Sequence, residues 1–266
     1  MVAVSRSNRR VRDLRKLLRK SSYRHATKTF VIEGLSLLRE AGLTGNVPVD
    51  IFVAEGDTDT SAEIETLGLG NPKIWELDAK VLRSIGSTQN PQPVLATVPM
   101  FEHSYDGLIG SFSDFLAVGV EINDPGNAGT IIRTAAAAGA NAVVFSQGSV
   151  DIYNPKVIRA SAGSIFRIPV VSSVDALNVI QECHKQKIIT VGLTGKGKTD
   201  YFAYDLTQPI ALFVGNESRG LDSLILGNLG AEVSIPMEAG VESLNAAVAL
   251  SIVSFEVSRQ RALNDV

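Results

Sequence analysis

Cysteine is nearly missing from this sequence, and histidine is scarce. There is one cysteine, Cys183, and three scattered histidines, His25, His103 and His184. A single cysteine excludes internal disulfides and is typical of a reducing compartment, and the histidines do not have the spacing of metal ligands. The sequence therefore predicts no metal site and a cytoplasmic protein, in which Cys183 is incidental.

Long apolar runs are missing as well. No stretch approaches the roughly 20 residues of a membrane span, and none has the pattern of a secretory signal. The 266 residues are nonetheless 45% hydrophobic, which is enough for one large or two modest cores. We expect one or two globular domains and no membrane span.

Acidic residues are nearly missing from the first 28 positions. Ten arginines and lysines stand there against one acid, Asp13, in a chain whose net charge is −3. Four apolar residues at helical spacing predict a basic amphipathic helix over residues 6–20: Val11, Leu14, Leu17 and Leu18. A basic arm on an acidic body predicts a polyanionic partner, and an arginine-rich mitochondrial transit peptide is the alternative interpretation.

Short apolar strands alternate with helices in two blocks. Residues 1–98 predict a small α/β domain, with strands at 30–32, 49–54, 73–77 and 94–98 and helices at 34–41, 60–67 and 78–85. Residues 99–114 are irregular and predict a linker. Residues 115–266 predict a second α/β domain. Its strands are expected at 115–120, 142–145, 188–193, 210–214 and 233–237, its extended chain at 165–171, and its helices at 128–138, 155–162, 174–187 and about 246–262.

Two strands of the second block end in glycine and polar residues. The apolar run 210–214 gives way to Gly215-Asn216-Glu217-Ser218-Arg219-Gly220, and the run 233–237 gives way to a polar stretch that reaches Asn245. In open α/β sheets ligands bind beyond the carboxyl ends of the strands, so the two loops together predict a ligand site. Either loop alone is also compatible with an ordinary strand-to-helix turn.

Residues 192–199 (GLTGKGKT) match the phosphate-binding P-loop pattern. That loop needs a long helix directly after it, because the helix amides hold the phosphates. Residues 200–208 are too short and polar for such a helix, and Pro209 begins the next strand. We interpret the match as a surface turn or a ligand loop of another kind, with a nucleotide hydrolase as an alternative. Dinucleotide-fingerprint and serine-elbow motifs are missing.

Four stretches of the chain carry a family resemblance when they are read in order. They are residues 123–134 (NDPGNAGTIIRT), 154–164 (NPKVIRASAGS), 212–221 (LFVGNESRGL) and 235–249 (IPMEAGVESLNAAVA). They resemble the SpoU, or TrmH-like, family of S-adenosylmethionine-dependent RNA ribose 2′-O-methyltransferases in the SPOUT superfamily. The resemblance covers roughly residues 115–262. The first domain is similar, more loosely, to the ribosomal-protein-like RNA-binding domain that several members carry.

The resemblance implies an α/β fold whose C-terminal parallel sheet carries a trefoil knot, which general topology rules disfavour. It also implies a homodimer with the knotted ends at the interface. The implied reaction is methylation of a ribose 2′-hydroxyl in structured RNA, with ribosomal RNA preferred as the substrate and S-adenosylmethionine as the cofactor. A transfer-RNA 2′-O-methyltransferase and a non-catalytic RNA-binding ribosome factor are the alternatives.

The same resemblance implies the site residues. The cofactor's adenine is expected in an apolar slot with a few backbone hydrogen bonds, formed by Leu193, Thr194, Gly195, Gly215, Asn216, Ile235, Met237 and Leu244. The implied catalytic residues are Asn127, Arg133, Glu217, Ser243 and Asn245. RNA contacts are expected from Arg9, Arg10, Arg24, His25, Lys28 and Arg159, as phosphate contacts that grip RNA without specifying its sequence.

Each implied catalytic residue has an expected role. Arginine does not deprotonate near neutral pH, so we expect Arg133 to bind a phosphate and to stabilise the developing alkoxide. Asn127, placed before its helix, is expected to orient Arg133 or to contact the ribose. Glu217 is expected to pin its loop or Arg133. Ser243 and Asn245 are expected at the mouth of the cofactor loop, the first as a helix cap and the second in the first helical turn.

Overall fold

The computed structural model describes residues 2–86, 92–101, 103, 108, 115–238 and 243–264. The chain forms two compact units: Met1–Glu102 with Tyr153–Phe166, and His103–Ile152 with Arg167–Val266. The segment Tyr153–Phe166 therefore belongs to the first unit, although it lies within the range predicted for the second domain. Local hydropathy does not show which unit a short helix packs against. The predicted linker, residues 99–114, lies mostly outside the described residues.

The described residues form twelve strands and ten α-helices. The strands are β1 (Val2–Ala3), β2 (Thr29–Glu33), β3 (Asp50–Ala54), β4 (Lys73–Leu77), β5 (Val94–Pro99), β6 (Phe115–Gly119), β7 (Ala142–Ser146), β8 (Val170–Val174), β9 (Ile189–Leu193), β10 (Thr199–Asp200), β11 (Ile210–Val214) and β12 (Ala231–Ser234). The helices are α1 (Arg9–Arg19), α2 (Ser21–Thr27), α3 (Leu35–Leu43), α4 (Thr58–Thr66), α5 (Ala79–Ile85), α6 (Pro125–Ala137), α7 (Pro155–Ala160), α8 (Ala176–Lys185), α9 (Ser223–Leu226) and α10 (Ala246–Asn264).

The first unit contains a five-stranded mixed sheet in the order β1-β4-β3-β5-β2. The predicted amphipathic helix is confirmed as α1, which buries Val11, Leu14 and Leu17 in a core shared with strand residues such as Phe52. Asn8 caps α1 by accepting a hydrogen bond from the Arg10 amide at 2.8 Å. Helix α2 was not predicted, because residues 21–27 are polar and lack an apolar period.

The segment Tyr153–Phe166 supplies aromatic rings to the first unit. The Tyr153 ring lies 5.0 Å from that of Phe30, and the Phe166 ring lies 5.7 Å from that of Phe101. Helix α7 packs on β2, and Arg159 reaches within 3.9 Å of the buried Glu33 carboxylate. The first unit thus draws part of its core from a distant stretch of sequence.

The second unit contains seven parallel strands in the order β10-β12-β9-β11-β6-β7-β8, which confirms the predicted parallel sheet. The predicted strand at 210–214 coincides with β11. Two predictions were wrong in detail. Strand β12 ends at Ser234, so that Ile235, Pro236 and Met237 lie in the following loop. Residues 165–171 include the end of a 3₁₀ turn (Ser164–Phe166), and β8 begins only at Val170.

One core of the second unit lies on the face of the sheet that α8 covers, where Leu116, Phe213 and Cys183 are fully buried. Buried strands flanked by helices read as continuous apolar runs, which is why β6, β7 and β11 were predictable. Within the described ranges, no helix is both long and apolar enough to cross a membrane.

Candidate functional site

The carboxyl ends of β9, β11 and β12 open into one cleft of about 800 Å³. The three strands are neighbours in a parallel sheet, so the loops that follow them meet at the same edge. All eight residues predicted for the cofactor line this cleft: Leu193, Thr194, Gly195, Gly215, Asn216, Ile235, Met237 and Leu244. Its volume is that of a small-molecule site.

The walls of the cleft combine apolar side chains with glycine and polar residues. Ile235 and Met237 reach the cleft because β12 ends before them. Leu193 and Leu244 extend the apolar wall. Gly195 and Gly215 also line the cleft beside several polar side chains, and sites for small molecules commonly combine apolar walls with polar groups that fix the ligand's orientation.

The loop after β11 is a tight turn in which Gly215 faces Gly220. A Cβ on Gly215 would collide with the Gly220 carbonyl and with the Leu221 amide. Gly220 has a φ of +69°, which favours glycine. Asn216 is buried; its Oδ1 accepts hydrogen bonds from the amides of Ser218 and Arg219 at 3.0 and 3.2 Å. Glycine is therefore required at position 215 by the turn itself, besides any approach of a ligand.

A chain of side-chain hydrogen bonds joins the three loops of the resemblance. Asn127 donates from Nδ2 to Glu217 Oε1 at 2.8 Å, and Asn245 donates from Nδ2 to Asn127 Oδ1 at 2.8 Å. Glu217 also accepts from the amides of Asp124 and Asn123, at 3.2 and 3.4 Å. Glu217 thus pins its loop to the amino end of α6, and the expected pairing of Glu217 with Arg133 does not occur.

Burial and hydrogen bonding act on Glu217 in opposite directions. Burial raises the pKa of its carboxyl, but hydrogen bonds from Asn127, from its own backbone and from the amides of Asp124 and Asn123 outweigh burial. The net effect lowers the pKa of Glu217 below its usual value. The carboxylate is therefore held ionised as an acceptor and is a poor candidate for a proton-transfer group at neutral pH.

Asn127 and Asn245 occupy positions that differ from the expected ones. Asp124 caps α6 through the Asn127 amide at 2.9 Å, with Pro125 as the first helical residue. Asn127 is therefore in the first turn of α6 and does not precede the helix. Asn245 caps α10, because its Oδ1 accepts from the amides of Ala247 and Val248 at 2.9 and 3.2 Å. Ser243, expected as the cap, instead lines the cleft.

Arg133 is exposed on α6 and is not among the residues that line the cleft. Six positions separate it from Asn127, so the two side chains leave the helix in different directions. Within the described part of the chain, no hydrogen bond or ion pair engages its guanidinium. Arg133 is therefore not part of the hydrogen-bonded series formed by Asn127, Glu217 and Asn245. Asn127 does not orient it.

The P-loop match is a turn without a following helix. After β9 the chain passes through residues 194–198 into the two-residue strand β10 and the 3₁₀ turn Tyr201–Ala203. The Thr194 amide donates to the Val233 carbonyl at 3.0 Å, and a Cβ on Gly197 would meet the Val233–Ser234 backbone. The stretch packs on β12 and forms one rim of the cleft, so the prediction that no long helix follows the P-loop match is confirmed.

The residues predicted to bind RNA fall into two groups. Arg9, His25 and Lys28 are exposed on the first unit. Arg24 is 3% exposed and donates from Nη1 to the Leu17 carbonyl at 2.7 Å, so its prediction as a surface contact was wrong. Arg10 and Arg159 are tied to the buried carboxylates of Asp50, at 3.2 Å, and Glu33, at 3.9 Å.

One ion pair beside the cleft was not predicted. Arg219 Nη2 lies 2.6 Å from Glu121 Oε2, and the Glu121 carbonyl accepts from Asn216 Nδ2 at 3.0 Å. Glu121 adopts a φ of +52°, which is uncommon for a residue with a side chain. Arg219 lies within the motif 212–221 and Glu121 just before the motif 123–134, but only the folded chain shows that they pair.

Two family models match the chain. One is described as the SpoU rRNA Methylase family and matches residues 114–255; the other is described as an MRM3-like substrate binding domain and matches residues 8–96. The 23S rRNA (guanosine(2553)-2′-O)-methyltransferase RlmP of Bacillus subtilis is 32% identical, over 95% of this chain and 97% of that protein. The 23S rRNA (uridine(2479)-2′-O)-methyltransferase of Streptomyces viridochromogenes is 30% identical, over 97% and 92%.

Solved structures show the same similarity over nearly the whole chain. The crystal structure of the SpoU methyltransferase AviRb from Streptomyces viridochromogenes in complex with the cofactor AdoMet has a TM-score of 0.88 and 29% identity, covering 96% of this chain and 98% of that one. The AdoMet bound rRNA methyltransferase from Sinorhizobium meliloti has a TM-score of 0.84 and 28% identity, covering 97% and 98%.

Proposed function

The chain belongs to the SpoU rRNA Methylase family, and from this premise we propose that it transfers the methyl group of S-adenosylmethionine to a ribose 2′-hydroxyl of ribosomal RNA. The observation that carries the proposal is the cleft at the ends of β9, β11 and β12, bordered by the hydrogen-bonded chain Glu217–Asn127–Asn245. Both relatives described above bear names of 23S rRNA 2′-O-methyltransferases, which supports the reaction and the RNA class.

The residues of the cleft fit S-adenosylmethionine. Leu193, Ile235, Met237 and Leu244 offer an apolar slot for adenine, and Gly215 leaves backbone groups within reach of its edge. When bound, this cofactor supplies an electrophilic methyl group. The protein's own contribution is to fix the reacting groups in line, and positioning of this kind lowers a barrier by up to about 7–11 kcal/mol in ideal cases.

The charged and polar residues have separate proposed roles. Arg133 is exposed and unengaged within the described residues, so its guanidinium is available to bind an RNA phosphate and to stabilise charge that develops on the ribose oxygen. Asn127, Glu217 and Asn245 act together as positioning residues, because their hydrogen bonds fix the three loops relative to one another. Ser243 is one of the polar residues that line the cleft.

We also propose that the chain forms a homodimer. Two large apolar side chains on α10, Val248 and Phe255, are 44% and 52% exposed. They lie seven residues apart on one face of the helix, and Ile252 between them is half-buried. Sedimentation equilibrium of wild type and Phe255→Arg tests this proposal. A wild type that is monomeric at micromolar concentration contradicts it.

The C-terminal knot and the cytoplasmic location remain part of the same proposal. Support for the knot comes from the structural similarity to SpoU enzymes. An experimental structure whose backbone is not knotted contradicts it. Support for the cytoplasm comes from the proposed ribosomal substrate. Cell fractionation with immunodetection tests the location, and recovery of the protein outside the cytoplasmic fraction opposes it.

Methyl incorporation tests the function directly. Labelled S-adenosylmethionine is incubated with ribosomal and transfer RNA from cells that lack the protein, using wild type, Arg133→Ala and the control Lys185→Ala, which removes an exposed cation of α8. We expect alkali-resistant label in ribosomal RNA, lost only with Arg133→Ala. Label in transfer RNA supports the transfer-RNA alternative. RNA binding without binding of S-adenosylmethionine identifies a non-catalytic factor.

A further inference from the structure

Four cations recur on the outer face of α1 at intervals of three and four residues: Arg9, Arg12, Lys16 and Arg19. All four are exposed, whereas Val11, Leu14 and Leu17 of the same helix are buried. Residues at such intervals are neighbours on one side of a helix, about 5–6 Å apart. We name these four residues the α1 row. At 1.5 Å per residue the row is roughly 15 Å long.

Two other arginines anchor α1 and are not part of the row. Arg10 donates from Nη1 to Asp50 Oδ2 at 3.2 Å, and the other oxygen of this buried carboxylate accepts from Trp75 Nε1 at 2.7 Å. Arg24 of α2 donates to the Leu17 carbonyl near the end of α1. These contacts hold α1 on the sheet of the first unit, so the row is presented on a rigid element.

The charges in the first turn of α1 work against the stability of the helix. Its first turn contains arginines and no acid, although the amino end of a helix carries a partial positive charge. Within the row, Arg12 and Lys16 are like charges at the i, i+4 spacing. Burial, together with repulsion from Arg6 and Arg19, lowers the pKa of the neighbouring Arg15. Charges that destabilise a helix, and that no other contact within the protein offsets, are typical of a functional surface.

Little of the row's charge is neutralised within the molecule. Over the described ranges, Asp13 is the one acid in ion-pair range of it, 3.8 Å from Arg9 Nε and 3.7 Å from Lys16 Nζ. The same carboxylate also accepts a hydrogen bond from the Tyr23 hydroxyl at 2.8 Å. Four exposed cations with one shared acid form a surface of net positive charge, which favours a polyanionic partner.

We propose that the α1 row is the docking surface for one phosphodiester strand of the RNA substrate and lies along it. Neighbouring cations of the row are about 5–6 Å apart, so a row of roughly 15 Å can contact several successive phosphates of one strand. The outer face of α1 has no apolar residue for insertion into a lipid surface. The identification of the polyanion as RNA rests on the proposed function.

Salt dependence of binding tests the proposal. Binding of deproteinised bacterial 23S ribosomal RNA is measured between 50 and 300 mM KCl for wild type and for Arg12→Gln/Lys16→Gln/Arg19→Gln. Each lost phosphate contact reduces the slope of log K against log salt by about 0.7–0.9. We therefore expect the slope to become shallower by about 2–3, with affinity at 100 mM KCl falling by about tenfold or more.

A matched control separates the row from net charge. Arg39→Gln/Lys73→Gln/Lys185→Gln removes three exposed cations from outside α1 and α2, and we expect its slope to stay within about 0.5 of wild type. The row variant is also expected to unfold thermally near the wild-type temperature, because the like-charge repulsion that it loses offsets the lost contacts of Lys16 with Asp13 and with the Tyr23 ring. An equal slope for the row variant and wild type, or equal losses in both triple variants, overturns the proposal.

Methyl transfer distinguishes this proposal from the proposed function. At low salt and saturating RNA, the row variant is expected to keep the wild-type kcat with a raised KM for RNA. If wild type transfers no methyl group but the salt slopes still differ as expected, the proposed function fails and the docking surface stands. If methyl transfer is normal and the slopes coincide, the docking surface fails alone.

Discussion

Asn245 donates a hydrogen bond from Nδ2 to Oδ1 of Asn127 across 2.8 Å, although the two residues are 118 positions apart in sequence. Asn127 in turn donates a hydrogen bond from its own Nδ2 to Oε1 of Glu217. Each asparagine therefore uses both ends of its amide, since Asn245 Oδ1 also caps α10. Hydrogen bonds in such a series support one another, so the three loops form one structural unit.

Removal of either asparagine is expected to weaken the fold and the cofactor site together. Asn127→Ala removes the buried amide that joins Glu217 to Asn245, including one hydrogen bond to a carboxylate, and should reduce the free energy of unfolding by about 1–3 kcal/mol. Asn245→Ala should cost a similar amount, of which about 1 kcal/mol reflects the lost helix cap. Urea unfolding of both variants measures these values.

The double variant completes the cycle. Residues that share a network show coupling energies of about 0.5–3 kcal/mol, so the double loss should be smaller than the sum of the single losses. Asn178→Ala, a substitution in the first turn of α8, serves as the control in combination with Asn127→Ala. Simple additivity for Asn127 and Asn245 contradicts the network.

The stability that Glu217 contributes is expected to depend on pH. Its pKa is lowered in the folded state, so its contribution is fully present above the unfolded-state pKa of about 4.3 and disappears as pH falls through the lower folded value. The difference in urea midpoint between wild type and Glu217→Gln should therefore shrink on acidification from pH 6 to below 4. Glu65→Gln, in an exposed position of α4, reports the general effect of removing one carboxylate. A difference that stays constant across this range contradicts the assignment.

Gly215→Ala is expected to disrupt the loop after β11. The new methyl group would collide with the backbone at Gly220 and Leu221, and overpacking against a rigid backbone costs about 1–3 kcal/mol or more. Calorimetric titration with S-adenosylmethionine should show at least a tenfold loss of affinity. Gly139→Ala is the control: Gly139 has a φ of +79° with open space around it, so it should lose stability of roughly 1–2 kcal/mol and still bind the cofactor normally.

Phe166→Ala is expected to destabilise the first unit, although position 166 was predicted in the second domain. The ring is 8% exposed and packs beside Phe30 and Phe101, and loss of a buried phenylalanine costs about 3–5 kcal/mol. Hydrogen exchange read by mass spectrometry should show faster uptake in β2. Phe202→Ala removes a ring that is 54% exposed and should leave β2 unchanged; equal protection of β2 in both variants argues against the assignment.

Cys183 is expected to be inert in the folded protein. Burial, followed by the nearby charge of Glu182, raises the pKa of its thiol to about 12, so almost no thiolate exists at pH 8. A disulfide reagent should therefore react at pH 8 only as fast as the protein unfolds, and at the rate of a free thiol in 6 M urea. Rapid labelling without denaturant contradicts the burial of Cys183.

The structural features that depend on neighbouring residues in the sequence were predictable. The turn Asn123–Asn127 predicted the start of α6, and Asp124 with Pro125 does begin it. The apolar run 210–214 predicted β11 to the residue. The family prediction was confirmed over both halves of the chain. Five of the eight residues that meet in one cleft lie in the quoted motifs, and the other three lie at the end of β9 and in the loop after it.

Features set by long-range packing were not predictable. Ile235 and Met237 were predicted to line the cleft, but their place in a loop after β12 was not predicted, because their apolar side chains look like strand residues. Arg24 looked like a surface cation, and only the folded chain places the Leu17 carbonyl within its reach. Arg133 lies in the motif 123–134, but it forms no hydrogen bond with Asn127 or Glu217. It is six residues after Asn127 on the same helix, so its side chain points in a different direction.

The placement of Tyr153–Phe166 in the first unit has a consequence for synthesis on the ribosome. When residue 102 has left the exit tunnel, Phe30 and Phe101 still lack the rings of Tyr153 and Phe166. At about 5–20 residues per second, the missing aromatic segment follows only several seconds later. We expect the nascent first unit to remain sensitive to proteases during that interval, until the completing segment emerges.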